Sequence, residues 1–250
     1  RRTAEAVAKG EFEPYFQFVV DRGGTIIGAE TVSRWQSPED GLLPPSKYID
    51  LMIRAGTVTE HDLYMLRCAC VQLQTWKREG RGTLWLSCNF TRQSIADEKI
   101  LARVREIVEQ YDFTRDRLVV ERTEDSYTHD RETALRTIEG LHAMGLRIAL
   151  DDMGAGYSSL SDLCTYPIDG VKIDRSILLD AEEERGRALL AGLVQLAHSM
   201  GIRALSEGVE TKEQLDIALA AGCDSIQGFY FSRVLPKREA ERYLRELTEQ

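Results

Sequence analysis

The chain has 250 residues, 43% of them hydrophobic and 29% charged, with a net charge of −9. That length and balance suit one large α/β domain or two small ones. They exclude a surface that gathers DNA, RNA or anionic lipid by charge alone, so an anionic ligand needs local arginine, lysine or metal.

Residues 1–8 read as a helix already under way, and the chain is expected to be a fragment of a longer protein. Residues 12–21 and 25–35 read as two strands. The Arg22-Gly23-Gly24 turn between them permits the positive φ angles of a hairpin, so they should pair antiparallel. Pro38 to Pro45 is a loop, and Ser46 or Thr59 is a candidate cap for helices running towards Glu79. From there strands and helices alternate. Strands are expected at 83–89, 118–121, 147–151, 170–174, 203–207 and 225–229. Helices are expected at 93–110, 129–144, 157–164, 183–200, 211–221 and 237–249. Eight strands with this alternation fit a closed parallel (β/α) barrel better than an open sheet, since no Gly-x-Gly-x-x-Gly follows the first strand. No internal sequence repeat is expected beyond the βα alternation. No apolar run is long enough to span a membrane and no stretch reads as a signal peptide. The five cysteines (68, 70, 88, 164 and 223) lack metal-type pairing, which points to a reducing compartment; the expected location is the cytoplasm, with the cytoplasmic part of a membrane-anchored protein as the alternative. The four histidines have no ligand spacing and read as surface or core residues.

Chemistry in a barrel gathers where the strands end. The strand ends carry Glu30, Asn89, Glu121, Asp151 with Asp152, Lys172, Glu207 and Gln227. Carboxylates crowding one mouth repel each other, and a bound cation removes that conflict. Oxygen donors of this kind suit Mg²⁺ or Mn²⁺, and two such ions can activate water and clamp a phosphate. Lys172 among the acids is placed to orient that water or to help deprotonate it. Asp151 and Asp152 should diverge to opposite faces unless the chain bends, which Gly154 and Gly156 allow.

These motifs, in this order, resemble the EAL-domain family, which hydrolyses the second messenger cyclic di-GMP. Glu30-Thr31-Val32-Ser33-Arg34-Trp35 lies where the Glu-Ala-Leu signature and its x-Arg-Trp lie. Ser87-Cys88-Asn89-Phe90-Thr91 resembles Ser-Val-Asn-Leu-Ser, and Glu121-Arg122-Thr123-Glu124 resembles Glu-Leu-Thr-Glu. Asp151 to Leu160, Lys172-Ile173-Asp174, Glu207 to Thr211 and Gln227-Gly228-Phe229 are also similar to family motifs. The resemblance implies a modified TIM-type (β/α)8 barrel with an antiparallel first strand. It implies metal ligands at Glu30, Asn89, Glu121, Asp151, Asp152 and Glu207, holding two Mg²⁺ or Mn²⁺ ions. Lys172, Glu207 and Asp151 take the catalytic positions. Arg34 matches a phosphate contact. Gln17, Asp174, Glu210 and Gln227 match positions at the nucleotide or supporting the site, and Glu124 braces the loop after Asp152. The expected product is linear pGpG. Expected partners are cyclic di-GMP, a second copy docking near Ser158–Tyr166, and an upstream sensor or GGDEF domain, with no nucleic-acid polymer and no membrane contact. The chain departs from the pattern at Glu-Thr-Val, Phe16-Gln17-Phe18, Met52-Ile53, Met153, Ala155 and Phe231 to Pro236. The alternative these departures raise is a catalytically weak or inactive receptor for the dinucleotide, or a protein-interaction module.

Overall fold

The computed structural model describes residues 2–123, 131–155 and 160–248. A short helix, α1 (Arg2–Ala8), leads into β1 (Phe12–Asp21) and β2 (Ile26–Ser37). These pair antiparallel from Phe12 opposite Trp35 to Val20 opposite Ile26. Asp21 ties their turn: its Oδ1 accepts the N–H groups of Gly23 and Thr25, both at 2.9 Å. The chain continues through β3 (Gly41–Leu43), α2 (Ile49–Ala55), α3 (Val58–Arg78), β4 (Trp85–Phe90), α4 (Arg92–Ile95), α5 (Ile100–Glu109), β5 (Leu118–Thr123) and α6 (Arg131–Ala143). Then follow β6 (Arg147–Met153), α7 (Leu160–Thr165), β7 (Gly170–Ile173), α8 (Arg175–Asp180), α9 (Glu184–Ser199), β8 (Arg203–Ser206), α10 (Lys212–Ala221), β9 (Ser225–Gln227), β10 (Leu235–Pro236) and α11 (Lys237–Thr248).

The order β1-β9-β8-β7-β6-β5-β4-β2, closed by the β1–β2 pairing, is an eight-stranded barrel. β1 is antiparallel to both its neighbours in that ring. The other neighbours run parallel, so their connections cross over outside and carry the helices. This is the modified barrel that the sequence implies. β3 extends it from the stretch read as a loop, and β10 from residues between the last expected strand and helix.

Side-chain alternation divides the work. Outward positions on the strands are apolar: Phe16 and Phe18, Leu86 and Phe90, Leu118 and Val120, Ile148 and Leu150, and Val171 and Ile173 are buried in one continuous core with the helices. A smaller cluster of Phe12, Trp35, Tyr48, Met52 and Val58 seals the β1–β2 end under α2. Inward positions near the carboxyl ends are polar, which is the reverse of a barrel filled by branched side chains. Trp85 fills space below them, and it can do so only because Gly28 has no side chain. A Cβ at Gly28 would come within 2.3 Å of the indole.

Some expectations need correction. Neither Ser46 nor Thr59 caps a helix; Tyr48 and Thr57 hold the cap positions of α2 and α3, without side-chain bonds. Gly56, at φ 66°, separates the two helices. The helix expected over 93–110 is split into α4 and α5, and the Asp97 Oδ1 accepts the Lys99 N–H at 2.9 Å in the gap. The strand ends at Ile173, because Asp174 turns to cap α8 and accepts the Ser176 N–H at 2.9 Å. There is also a repeat that the sequence reading missed: His-x-Met-Gly-Leu-Arg at 142–147 and His-x-Met-Gly-Ile-Arg at 198–203. Its two copies fold alike. Asp169 accepts the Ile148 N–H at 2.8 Å and faces His142 at 3.6 Å. Asp224 accepts the Ala204 N–H at 2.8 Å and the His198 ring at 2.9 Å. Among the described residues no helix is long and apolar enough to cross a membrane, and all five cysteines are free.

Candidate active site

The polar inward positions converge on one side chain. Lys172, on β7, places its Nζ 3.2 Å from Glu30, 3.0 Å from Glu121, 3.1 Å from Asp151 and 2.8 Å from Glu207. Those carboxylates come from β2, β5, β6 and the end of β8, so four separate strand ends meet on one ammonium. The neighbouring polar groups complete the ring. Asn89 donates from Nδ2 to Glu30 Oε1 at 2.9 Å. Gln227 donates from Nε2 to Glu30 Oε2 at 2.8 Å and to Gln17 Oε1 at 3.1 Å. Gln17 in turn donates to the Ser232 carbonyl at 3.3 Å. The Gln227 Oε1 is buried and accepts no bond from the described residues.

The two adjacent aspartates share this mouth through a backbone device. Asp152 has φ 56°, the one positive φ outside glycine among the described residues. The β6–β7 register shifts between Leu150 and Met153. A left-handed residue other than glycine costs about 1–2 kcal/mol, and strain of that kind persists where the surroundings enforce it. The result is that oxygens of Asp151, Asp152 and Glu207 all lie within 4.8 Å of one another. The bend falls on Asp152 itself; of the two glycines expected to supply it, Gly154 has φ 97° and Gly156 lies outside the described residues.

Electrostatics follow from crowding. Burial pushes the Glu207 carboxyl up, Asp151 and Glu30 add to the rise, and together they outweigh Lys172 to bring it to about 8. Burial also holds Glu121 well above the carboxylate range. Asp152 is raised by burial and by Asp151 and Asp174. Glu30 goes the other way: burial opposes its ionisation, but Lys172 and the bonds from Gln227 and Asn89 prevail and lower it. Burial would lower Lys172, yet its four acids keep it firmly charged. One ammonium among four acids, with Asp152 beside them, leaves a crowded acidic field in which burial favours the protonated forms of Glu121 and Glu207 until a further cation offsets it. Oxygen donors in such a field fit a hard divalent cation.

The remaining expected residues sit further out. Asp174 caps α8 and reaches Asp152 only through its field. Glu210 is held by Arg175 in a two-pronged pair at 2.9 and 3.0 Å on the rim. Arg34 lies on the β2 face above Glu30, apart from the acid ring, with its guanidinium 5.7 Å from the Tyr15 ring centre. Glu124 lies outside the described residues. Arg175 and Tyr15 were not singled out by the sequence reading. Arg175 carried a signal, since it follows Asp174 and faces Glu210 across neighbouring strand ends.

An eight-stranded barrel with one antiparallel strand and an acid-ringed mouth defines the class. The chain belongs to the EAL domain family, whose model matches residues 1–234. It is 30% identical over 243 residues to the cyclic di-GMP phosphodiesterase NbdA of Pseudomonas aeruginosa, covering 96% of this chain and 31% of that protein. It is 28% identical over 240 residues to the cyclic di-GMP phosphodiesterase PdeR of Escherichia coli, covering 96% and 36%. The chain thus spans about a third of the length of these relatives. Among solved structures, the MucR phosphodiesterase in complex with cyclic di-GMP superposes with a TM-score of 0.88 at 29% identity, covering 95% of this chain and 97% of that one.

Proposed function

We propose that the chain is a phosphodiesterase domain that opens cyclic di-GMP to linear pGpG, using two Mg²⁺ or Mn²⁺ ions. The observation that carries this is the convergence of Glu30, Glu121, Asp151 and Glu207 on Lys172, in a chain of this family. Glu30, Asn89, Glu121, Asp151, Asp152 and Glu207 hold the ions. When bound, the ions supply Lewis acidity at the phosphate and a water acidified towards neutral pH. Lys172, kept charged by its acids, orients that water by donating to it. Arg34 grips a phosphate oxygen, and a guanidinium fork suits that task. Gln17, Gln227, Asp174 and Glu210 line or brace the mouth where the nucleotide lies. One phosphorus–oxygen bond forms to water as the bond to the 3′ oxygen breaks, and that oxygen takes a proton. The same reading makes residues 1–250 one barrel domain of a longer signalling protein, with an upstream sensor or GGDEF domain and a second copy docking near residues 158–166.

Incubation with Mn²⁺ and cyclic di-GMP, followed by separation of nucleotides, tests it. Metal-dependent linear product is expected. Binding without product would move the chain to the receptor class, and neither binding nor product would refute the proposal.

A further inference from the structure

The arginine expected at the phosphate is held in an unusual way for a mouth so rich in acid. Among the described residues Arg34 makes no ion pair, although Glu13 stands directly opposite it across the β1–β2 ladder. Its guanidinium is fixed by two contacts only. One is its own Nη1, which donates to the Ser33 carbonyl at 3.0 Å. The other is the Tyr15 ring, 5.7 Å from its central carbon. Ser33 is itself anchored: its hydroxyl accepts from Tyr48 at 2.7 Å and meets the His61 ring at 2.8 Å. Tyr15 lies two residues before Gln17 on β1, hence on the same strand face, and pairs with Val32.

The kind of contact matters. A carboxylate partner would occupy the N–H edge of the fork, the edge that a phosphate needs. A ring takes only a face of the guanidinium. It therefore holds the group in place while, among the described residues, the one N–H bond it makes is to the Ser33 carbonyl. We propose that Tyr15 is a positioning residue that presents Arg34, ready oriented and with its fork open, to a phosphodiester oxygen of the ligand. The proposal rests on the ligand class given above. It gives Tyr15 a task in binding rather than in the chemical step, because Arg34 is set apart from the acid ring.

The expected effect is modest and specific. Losing an exposed contact of this type corresponds to about 2–5-fold in affinity. Tyr15→Leu should raise KM for cyclic di-GMP by roughly that factor with kcat unchanged, and Tyr15→Phe, which keeps the ring, should restore KM. In an Arg34→Ala background the Tyr15→Leu effect should vanish. In ligand-free protein, the NMR order parameter of the Arg34 Nε–H group should fall in Tyr15→Leu and hold in Tyr15→Phe. An unchanged order parameter, a Tyr15→Phe as poor as Tyr15→Leu, or an equal loss in the Arg34→Ala background would each overturn the proposal. If wild-type protein neither binds nor turns over the dinucleotide, the ligand assignment fails instead. The order-parameter comparison still decides whether Tyr15 positions Arg34.

Discussion

Arg122 offers the sharpest test of the energetics beside the site. It occupies the position of leucine in the family's Glu-Leu-Thr-Glu and directly follows Glu121 on β5. Its side chain points out of the barrel, only 7% exposed, and pairs with Asp162 of α7 at 3.2 Å. Its guanidinium also lies 4.6 Å from the Tyr166 ring centre, and its buried Nη1 has no partner among the described residues. Removing one member of a buried pair leaves the other charge stranded, at a cost of about 3–5 kcal/mol. Arg122→Leu alone should therefore destabilise by that amount. In a chain of this size each kcal/mol moves Tm by about 2–4 °C, so a fall of roughly 6–20 °C is expected. Arg122→Leu with Asp162→Leu removes both charges and should recover about half of the loss or more, since the stranded carboxylate is gone. Urea denaturation and calorimetry on the two single variants and the double measure the cycle. If Arg122→Leu costs less than about 0.5 kcal/mol, a value typical of exposed pairs, the pair is solvated and the reasoning is wrong. If the double variant loses the sum of the singles, the two charges are not coupled.

Gly28→Ala should destabilise by about 1–3 kcal/mol, because its new Cβ meets the Trp85 indole at 2.3 Å; a shift in tryptophan emission would accompany the loss, and an unchanged Tm would refute the contact. Adding Mg²⁺ or Mn²⁺ to chelator-treated protein should raise Tm, by about 2.7 kcal/mol equivalent at a hundredfold excess over Kd, and Asp151→Asn should abolish most of that rise. Glu60 is lowered by the bond from Arg103, which meets it from α5 at 2.6 Å. A depressed carboxyl stabilises above its unfolded value and loses that contribution as pH falls through the folded one. Arg103→Ala should accordingly lower Tm at pH 7 by an amount worth about 0.2–1 kcal/mol, and the gap should close as the pH drops below 4.5; a gap that persists there would rule out the linkage.

The barrel was legible because its signals are local and repeated. The β1–β2 hairpin follows from two glycines after a run of β-formers, and the acid ring follows from one polar residue at each strand end. Less legible was anything that depends on where neighbouring chain segments meet. The break between α4 and α5 lies in Ala96-Asp97-Glu98-Lys99, a stretch that good helix formers disguise. The bend at Asp152 is imposed by its register with β7, which no window of sequence contains. Arg122 entered the sequence pattern only within Glu121-Arg122-Thr123-Glu124, one position past the strand expected at 118–121. Only the fold brings Asp162 and Tyr166 to it, on and just past a helix that starts thirty-eight positions later. The His-x-Met-Gly repeat was readable, and its two aspartates, Asp169 and Asp224, follow its histidines at spacings that differ by one residue.

The placement of Lys172 shows how the fold tolerates a mouth built from mutually repelling groups. Four carboxylates around a buried point would oppose folding without a cation among them. Lys172 supplies a covalently tethered one, 2.8–3.2 Å from each. It neutralises only part of the charge, and burial, with Asp151 and Glu30 adding to it, still brings Glu207 to about 8. A second lysine there would quiet the field and leave little affinity for a divalent ion. No lysine would leave a metal-free mouth that resists closing. A single ammonium lies between those limits. The proposal for Arg34 extends the same logic: a cation held beside the Tyr15 ring, with no ion pair among the described residues, keeps charge to offer an anion instead of spending it on a neighbouring carboxylate.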